Sequence, residues 1–257
     1  MNLLATIGRL FIAFLFHTGR LAIFAGQGLS HCVRPPFFPR LIGRQLIEIG
    51  YFSLPVVGLT AIFTGMVLAL QSSTGFASFV AEAAVAKVVM LSMTRELGPV
   101  LAGLMVAGRI GAAMAAEIGT MRVTEQIDAL VTLSTNPFKY LVAPRMIAAL
   151  VALPILVVID DIIGVFGGFL VGVYGLGFNP AVFLHDSWDS LRTLDVASGI
   201  FKAAIFGFVV ALMGCYNGYH SQGGAQGVGR ATTNAVVSAS ILILTLDYVI
   251  TALFFRA

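Results

Sequence analysis

Four ionisable side chains, Arg95, Glu96, Lys202 and Asp247, stand inside stretches that are otherwise apolar over about 20 residues, the length of a membrane crossing. Charges at membrane depth are costly and face either a partner or a water-filled cavity. Two cations and two anions balance, which suits a buried network or the lining of a cavity for a zwitterionic or anionic head group; plain ion pairing between helices fits equally well. Arg95 and Glu96 are adjacent and point about 100° apart on a helix, so one can hold the fold while the other meets a ligand. Asp160 and Asp161 form a second polar feature. They permit a proton relay, or a protonated carboxyl in a polar contact between helices.

Other chemistries lack their residues. The chain has no G-x-x-x-x-G-K-[ST], HExxH, GxSxG or kinase-type set, so ATP hydrolysis by this chain is not expected. Gly223, Gly224, Gly227 and Gly229 lack a preceding strand and the dinucleotide-binding spacing, and read as a flexible connection. Cys32 and Cys215 have no ligand-spaced neighbours and read as small apolar fillers, so neither a metal site nor a disulfide framework is indicated.

The elements that position the charges follow from composition. Of 257 residues, 58% are hydrophobic and only 11% charged, against about 25% in soluble domains. With a mean hydropathy of +0.97, the expectation is an all-α integral membrane protein. An ordinary soluble enzyme and a disordered chain are excluded, and a net charge of +3 is too small and scattered for nucleic-acid binding.

At the N-terminus, Asn2, Thr6, Arg9, His17, Arg20 and Gln27 fall in one helical stripe interrupted by Phe16 and Phe24. That predicts a retained helix lying in the membrane interface, with a weakly hydrophobic first span as the alternative. Pro35, Pro36 and Pro39 then break the chain. Charge-free stretches predict five spans at about 49–70, 87–115, 145–172, 197–216 and 234–254. The organisation is one domain, with residues 1–40 as interfacial helix and breaker and 41–257 as the five-span core.

Counted inward from the outer span ends at 1.5 Å per residue, Arg95 lies about 12 Å deep, Lys202 about 8 Å and Asp247 about 10 Å. Orientation follows from the richer set of basic loops: Arg9, Arg20, Arg34, Arg40 and Arg44, then Arg109, Arg122, Lys139 and Arg145, then Arg230, all expected to be cytoplasmic. Lys87, Arg192 and Arg256, with Asp186, Asp189 and Asp195 nearby, lie on the other side, so the N-terminus is expected inside and the C-terminus outside. Ala102, Gly103, Ala107, Gly108, Gly111, Ala112, Ala115 and Ala116 in span 2, and Gly164, Gly168 and Gly172 in span 3, permit close helix packing.

Between spans 2 and 3, Glu117 to Pro137 reads as a short amphipathic helix. Thr124 is the expected N-cap with Glu125 in the first turn; Val123, Ile127 and Leu130 line one side, Gln126 and Asp128 lie away, and Pro137 ends the element. Such a helix is either a surface cover or a docking element for a partner.

The run RELGPVLAGLMVAGRIGAAMAAEIGTMRVTEQIDAL, from Arg95 to Leu130, resembles the MlaE (YrbE) permease family, the membrane subunits of MCE-associated ABC transporters. The likeness continues through NPFKYLVAPR (Asn136 to Arg145), CYNGYH (Cys215 to His220), GVGRATT (Gly227 to Thr233) and LDYVITALFF (Leu246 to Phe255). The resemblance implies a homodimeric permease of the bacterial inner membrane with five spans per protomer. Its implied partners are two cytoplasmic ATPases, which use ATP and Mg while this chain binds no cofactor, and a periplasmic ring of MCE-domain proteins. The implied cargo is phospholipid, moved between the inner membrane and that ring to maintain outer-membrane lipid asymmetry.

By the same resemblance, Arg95 and Glu96 stand on the motif of a lipid pocket, Lys202 and Asp247 match charged positions of the last two spans, and Glu117, Val123, Glu125, Ile127, Asp128 and Leu130 belong to a helix coupled to the ATPase. Asp160 and Asp161 match no family feature. Two readings of other classes stand beside it. One is a proton-coupled secondary transporter using Asp160, Asp161 or Asp247; the other is a structural anchor indifferent to the intramembrane charges.

Overall fold

The computed structural model describes residues 3–75 and 81–255. Asn2 and Arg256, assigned above to the interfacial stripe and the outer side, lie outside the described residues. Among the described residues the chain is helical, without strands. Five helices are long and apolar enough to cross a membrane: Pro39–Gly75, Ala83–Val123, Phe138–Gly175, Thr193–Tyr219 and Gly224–Phe255. Each expected span lies within one of them in order, which makes this an all-α, multi-pass membrane protein.

The N-terminal helix α1 (Leu3–Val33) is not among those five. Arg9, His17, Arg20 and Gln27 are exposed as the stripe predicts. Phe24, which breaks the stripe, is 3% exposed and is the anchor: its ring lies 5.0 Å from Phe138 and 5.4 Å from Tyr216. An aromatic side chain buried this way removes apolar area worth about 2–3 kcal/mol. Gly28, buried against Met146, and the partly buried Leu21, Ala25 and Cys32 complete the face by which this mostly exposed helix docks.

Span 1 begins earlier than expected, as the helix α2 (Pro39–Ile49) continuing through a single 3₁₀ turn, Tyr51–Ser53, into α3 (Leu54–Gly75). Hydropathy missed α2 because Arg40, Arg44 and Glu48 dilute its apolar content, although proline at the first helical position is a start signal. Span 2 is built from α4 (Ala81–Ser92), α5 (Gly98–Val106) and α6 (Ala112–Val123), joined by π-helical turns at Met93–Leu97 and Ala107–Gly111. The short helix α7 (Gln126–Thr132) follows. Span 3 is a π turn, Phe138–Val142, leading into α8 (Ala143–Leu170) and a closing π turn, Val171–Gly175. Next come α9 (Pro180–Ser190), α10 (Thr193–Tyr219) as span 4 and α11 (Gly224–Phe255) as span 5.

Three local expectations are corrected. Gly227 and Gly229 are not in a flexible connection but in the first turns of α11; only Gly223 (φ 88°) and Gly224 (φ 65°) make the bend. Gly227 approaches the Gln222 carbonyl so closely that a Cβ there would strike it. Thr124 does not cap α7. Its hydroxyl donates back to the Thr120 carbonyl at 2.8 Å, closing α6, and Glu125, in the left-handed region at φ 61°, takes the N-cap position instead. Pro137 does not end α7 either; it precedes the first turn of span 3, where the Asn136 side chain accepts the Phe138 N–H at 2.9 Å.

The small residues do what their spacing suggested at most positions. A side chain at Gly65 would collide with the backbone of Gly164, and one at Gly207 with the Ala149 carbonyl, so spans 1 and 4 meet span 3 backbone to backbone. Gly108 is the exception: it is exposed and nothing lies near it. Gly207→Leu should therefore force α10 off α8 and destabilise by about 3 kcal/mol or more, read as a fall of several degrees in the thermal midpoint in lipid nanodiscs. Gly43→Ala, where a Cβ meets nothing, should hold or raise the midpoint; equal effects of the two would overturn the packing argument.

Candidate functional site

Lys202 is the centre of the polar cluster. The side chain sits on α10 with no exposed surface, and its Nζ donates to Glu96 Oε2 at 2.6 Å and to the Arg95 carbonyl at 2.8 Å, with Asp247 Oδ1 at 2.8 Å completing the set. An ammonium has three donors, and three oxygens from spans 2 and 5 surround it. Spans 2, 4 and 5 are thereby joined through one nitrogen.

Local chemistry of span 2 makes this possible. Pro99 carries no N–H, so the turn before it is one donor short. The Thr94 carbonyl there abuts the α-carbon of Gly199, and the Arg95 carbonyl accepts Lys202. The π-helical turn at Met93–Leu97 is a wider local winding of the kind often found at functional positions, and it carries both Arg95 and Glu96.

Arg95 belongs to a separate network. Its Nε donates to Asp195 Oδ1 at 2.7 Å, and its guanidinium lies 4.4 Å from the centroid of the Phe255 ring. Asp195, fully buried at the third position of α10, also accepts the Arg192 backbone N–H at 3.0 Å. The four expected residues therefore come together, but as two linked groups: Lys202 with Glu96 and Asp247, and Arg95 with Asp195. The first group holds one cation and two carboxylates, not the even balance counted from the four residues alone.

Two participants were missed. Thr251 donates from Oγ1 to Glu96 Oε1 at 3.0 Å, and it lies one helical turn beyond Asp247, a same-face spacing that could have found it. Asp195 stands three residues after the cap position of α10, a capping signature, although in sequence it clusters with the loop acids Asp186 and Asp189. The Arg95 side chain is 31% exposed and Glu96 37%. The cluster thus presents one guanidinium and one carboxylate outward while the lysine stays covered, an arrangement able to meet the phosphate and the polar hydrogens of a head group.

Asp160 and Asp161 do not join this cluster. Asp160 is 1% exposed, and neither carboxylate oxygen has a hydrogen-bond partner among the described residues. Asp161 Oδ1 lies against Gly98, where a Cβ would collide with it.

At the other end of the bundle, α7 turns its apolar side into its own chain. Ile127 is fully buried, Val123 and Leu130 are partly buried, and Glu125 and Asp128 are exposed. Asp128 pairs with Arg122 at 2.7 Å, and Glu117 pairs with the buried Arg145 of span 3, also at 2.7 Å. The side facing outward is thus the polar one, with Val131 and Leu133 beside it.

Lys202→Met should leave Glu96 and Asp247 facing each other without their cation and lower stability by about 3 kcal/mol. The triple variant Lys202→Met, Glu96→Gln, Asp247→Asn should recover most of that loss. Thermal unfolding in nanodiscs checks both, and a single variant as stable as the parent would show that the ammonium does not hold the three spans.

Comparison with known proteins bears on the same residues. The family model described as Permease MlaE matches residues 42–253, all of the five-span core but its outermost residues. A "Probable ABC transporter permease protein" of Rickettsia felis is 57% identical over 256 residues, covering 100% of this chain and 99% of that protein. The "Intermembrane phospholipid transport system permease protein MlaE" of Haemophilus influenzae is 35% identical over 259 residues, covering 100% of this chain and 99% of its own length. "Protein TRIGALACTOSYLDIACYLGLYCEROL 1, chloroplastic" of Arabidopsis thaliana is 36% identical over 236 residues, covering 91% of this chain and 67% of that protein. A match spanning every membrane helix and every residue of the polar cluster makes this chain a member of the MlaE permease family.

Proposed function

We propose that the chain is the membrane subunit of an ABC transporter that moves phospholipid between the bacterial inner membrane and a periplasmic ring of MCE-domain proteins, maintaining outer-membrane lipid asymmetry. The observation that carries the reading is the buried Lys202 with its partners Glu96 and Asp247, flanked by the half-exposed Arg95. It is a polar site built inside apolar spans and presenting both charge signs, as a phospholipid head group requires. The names of the Rickettsia and Haemophilus relatives support the transporter class and the cargo.

In this reading two copies form the permease, with the N-terminus and α7 in the cytoplasm and the C-terminus in the periplasm. Two ATPase subunits, which bind ATP and Mg, dock on the outward side of α7 through Glu125 and Asp128. Ile127 holds α7 to the bundle, the Arg122–Asp128 pair ties it to span 2, and the Glu117–Arg145 pair ties span 2 to span 3, so displacement of α7 moves the span that carries Arg95 and Glu96. Lipid affinity then differs between two conformations, the minimum that coupled transport needs.

Asp160 supports one other reading, a proton-coupled carrier, because its buried carboxyl has no internal partner. Energy source separates the two: such a carrier works alone in liposomes under a pH gradient, whereas the permease requires nucleotide and its ATPase.

Glu96→Ala should cut the phospholipid retained by the purified complex on the order of tenfold, equivalent to about 1.4 kcal/mol, as measured by mass spectrometry of extracted lipid. Full occupancy would return Glu96 to a purely structural role. Ile127→Ala should preserve ATP hydrolysis by the assembled complex while lowering lipid moved per ATP several-fold, since a core truncation of this kind costs about 2–5 kcal/mol where the helix is anchored. Unchanged coupling in reconstituted vesicles would sink the assignment of α7.

A further inference from the structure

A second polar cavity lies at the far end of span 2, about 33 Å from the Lys202 cluster counting along the helix from Arg95 to Glu117. It has a volume of about 390 Å³ and opens between α2, α6 and the first turns of span 3, with Arg44, Gln45, Glu48, Glu117 and Arg145 among its lining residues. Arg145 is only 4% exposed. One of its terminal nitrogens donates to the Leu141 carbonyl and the other meets Glu117, each at 2.7 Å, while its buried Nε has no partner.

Both acids in the cavity are already engaged. Glu117 is held by Arg145, and Glu48 faces Arg109 at 3.8 Å, where Arg109 also donates to Ser53 Oγ at 2.9 Å. Arg44, on the exposed side of α2, makes no ion pair or side-chain hydrogen bond among the described residues. With Glu117 matched to Arg145 and Glu48 to Arg109, which lies outside the cavity lining, Arg44 is the lining cation left without a carboxylate. A guanidinium N–H buried without an acceptor is costly, and the planar fork of arginine matches phosphate oxygens in two-point contact. Apolar lining from Ile110, Met114 and Met121 adjoins the charged side, giving space for carbon next to the anion.

We propose that this cavity is a phosphate-ester site, separate from the Lys202 cluster, in which Arg44 and Arg145 receive the phosphate of a phospholipid head group or of free phosphate. Arg145, through its unpartnered Nε–H, is the buried half of the site and Arg44, with its unpaired fork, the exposed half. The site does not depend on the transport reading, because no residue is shared with the Lys202 cluster.

The test uses the full chain, expressed in bacteria fed ³²P-orthophosphate, with benzoylphenylalanine introduced by Met121→benzoylphenylalanine and, separately, by Leu97→benzoylphenylalanine beside Glu96. After irradiation, labelled lipid should be captured at position 121, fall at least fivefold in Arg44→Ala, and recover in Arg44→Lys. In a second arm, the purified chain in nanodiscs of phosphorus-free galactolipid is dialysed against ³²P-orthophosphate. Binding there that is lost in Arg44→Ala, without lipid capture at 121, supports the site with free phosphate as its source. Capture at 121 indifferent to Arg44→Ala, or no binding of either probe, overturns the proposal. Loss of capture at 97 with capture at 121 retained would sink the head-group role of Glu96 and leave this site standing.

Discussion

An ammonium with no exposed surface is the constraint around which this bundle is arranged. Lys202 can remain charged in an apolar protein only if oxygen atoms surround it, and those oxygens come from two other spans. The requirement fixes the rotation of α10 about its axis and the depth of spans 2 and 5 against it. Helices in lipid gain little from hydrophobic burial against one another, so close backbone packing and polar contacts carry the specificity. Here the two devices sit side by side on α10, where Gly199 lets the Thr94 carbonyl approach and Lys202, three residues on, takes the next one.

The two ends of the bundle follow different physics. Around Lys202 the polar groups are enclosed and charge-paired, leaving Arg95 and Glu96 as the partly open members. At the α7 end the charges are pairs between neighbouring elements, Glu117 with Arg145 and Arg122 with Asp128, three of the four side chains being well exposed to solvent. The exposed Arg122–Asp128 pair adds little stability to the joint between α6 and α7, commonly below about 1 kcal/mol, whereas Glu117 is held by a buried guanidinium. The fully buried Ile127 supplies the firm contact in that joint.

Much of this architecture is legible in the sequence. Long apolar stretches locate spans because a helix must supply about 20 residues to cross a bilayer, and all five emerged in order. The intramembrane charges could be picked out because nothing else in those stretches is polar. What escaped was governed by contacts rather than composition. The partition of Arg95 to Asp195 depends on the rotation of α10, which hydropathy does not encode. Thr124 has the chemistry of an N-cap, yet its hydroxyl was already committed to the preceding turn, a competition visible only when both helices are placed. Phe24 looked like an interruption of a polar stripe, whereas the aromatic nest that receives it is assembled from residues more than a hundred positions away.

Pro99 and Lys202 are far apart in the chain yet answer to one deficit. The proline removes a donor from span 2, and the lysine of span 4 supplies donors to the same turn. A chain that lost the lysine would take that donor from the Arg95 carbonyl at membrane depth. A proline in one span thus opens a place for a side chain of another, so the polar junction is written into the backbone as well as into the charges.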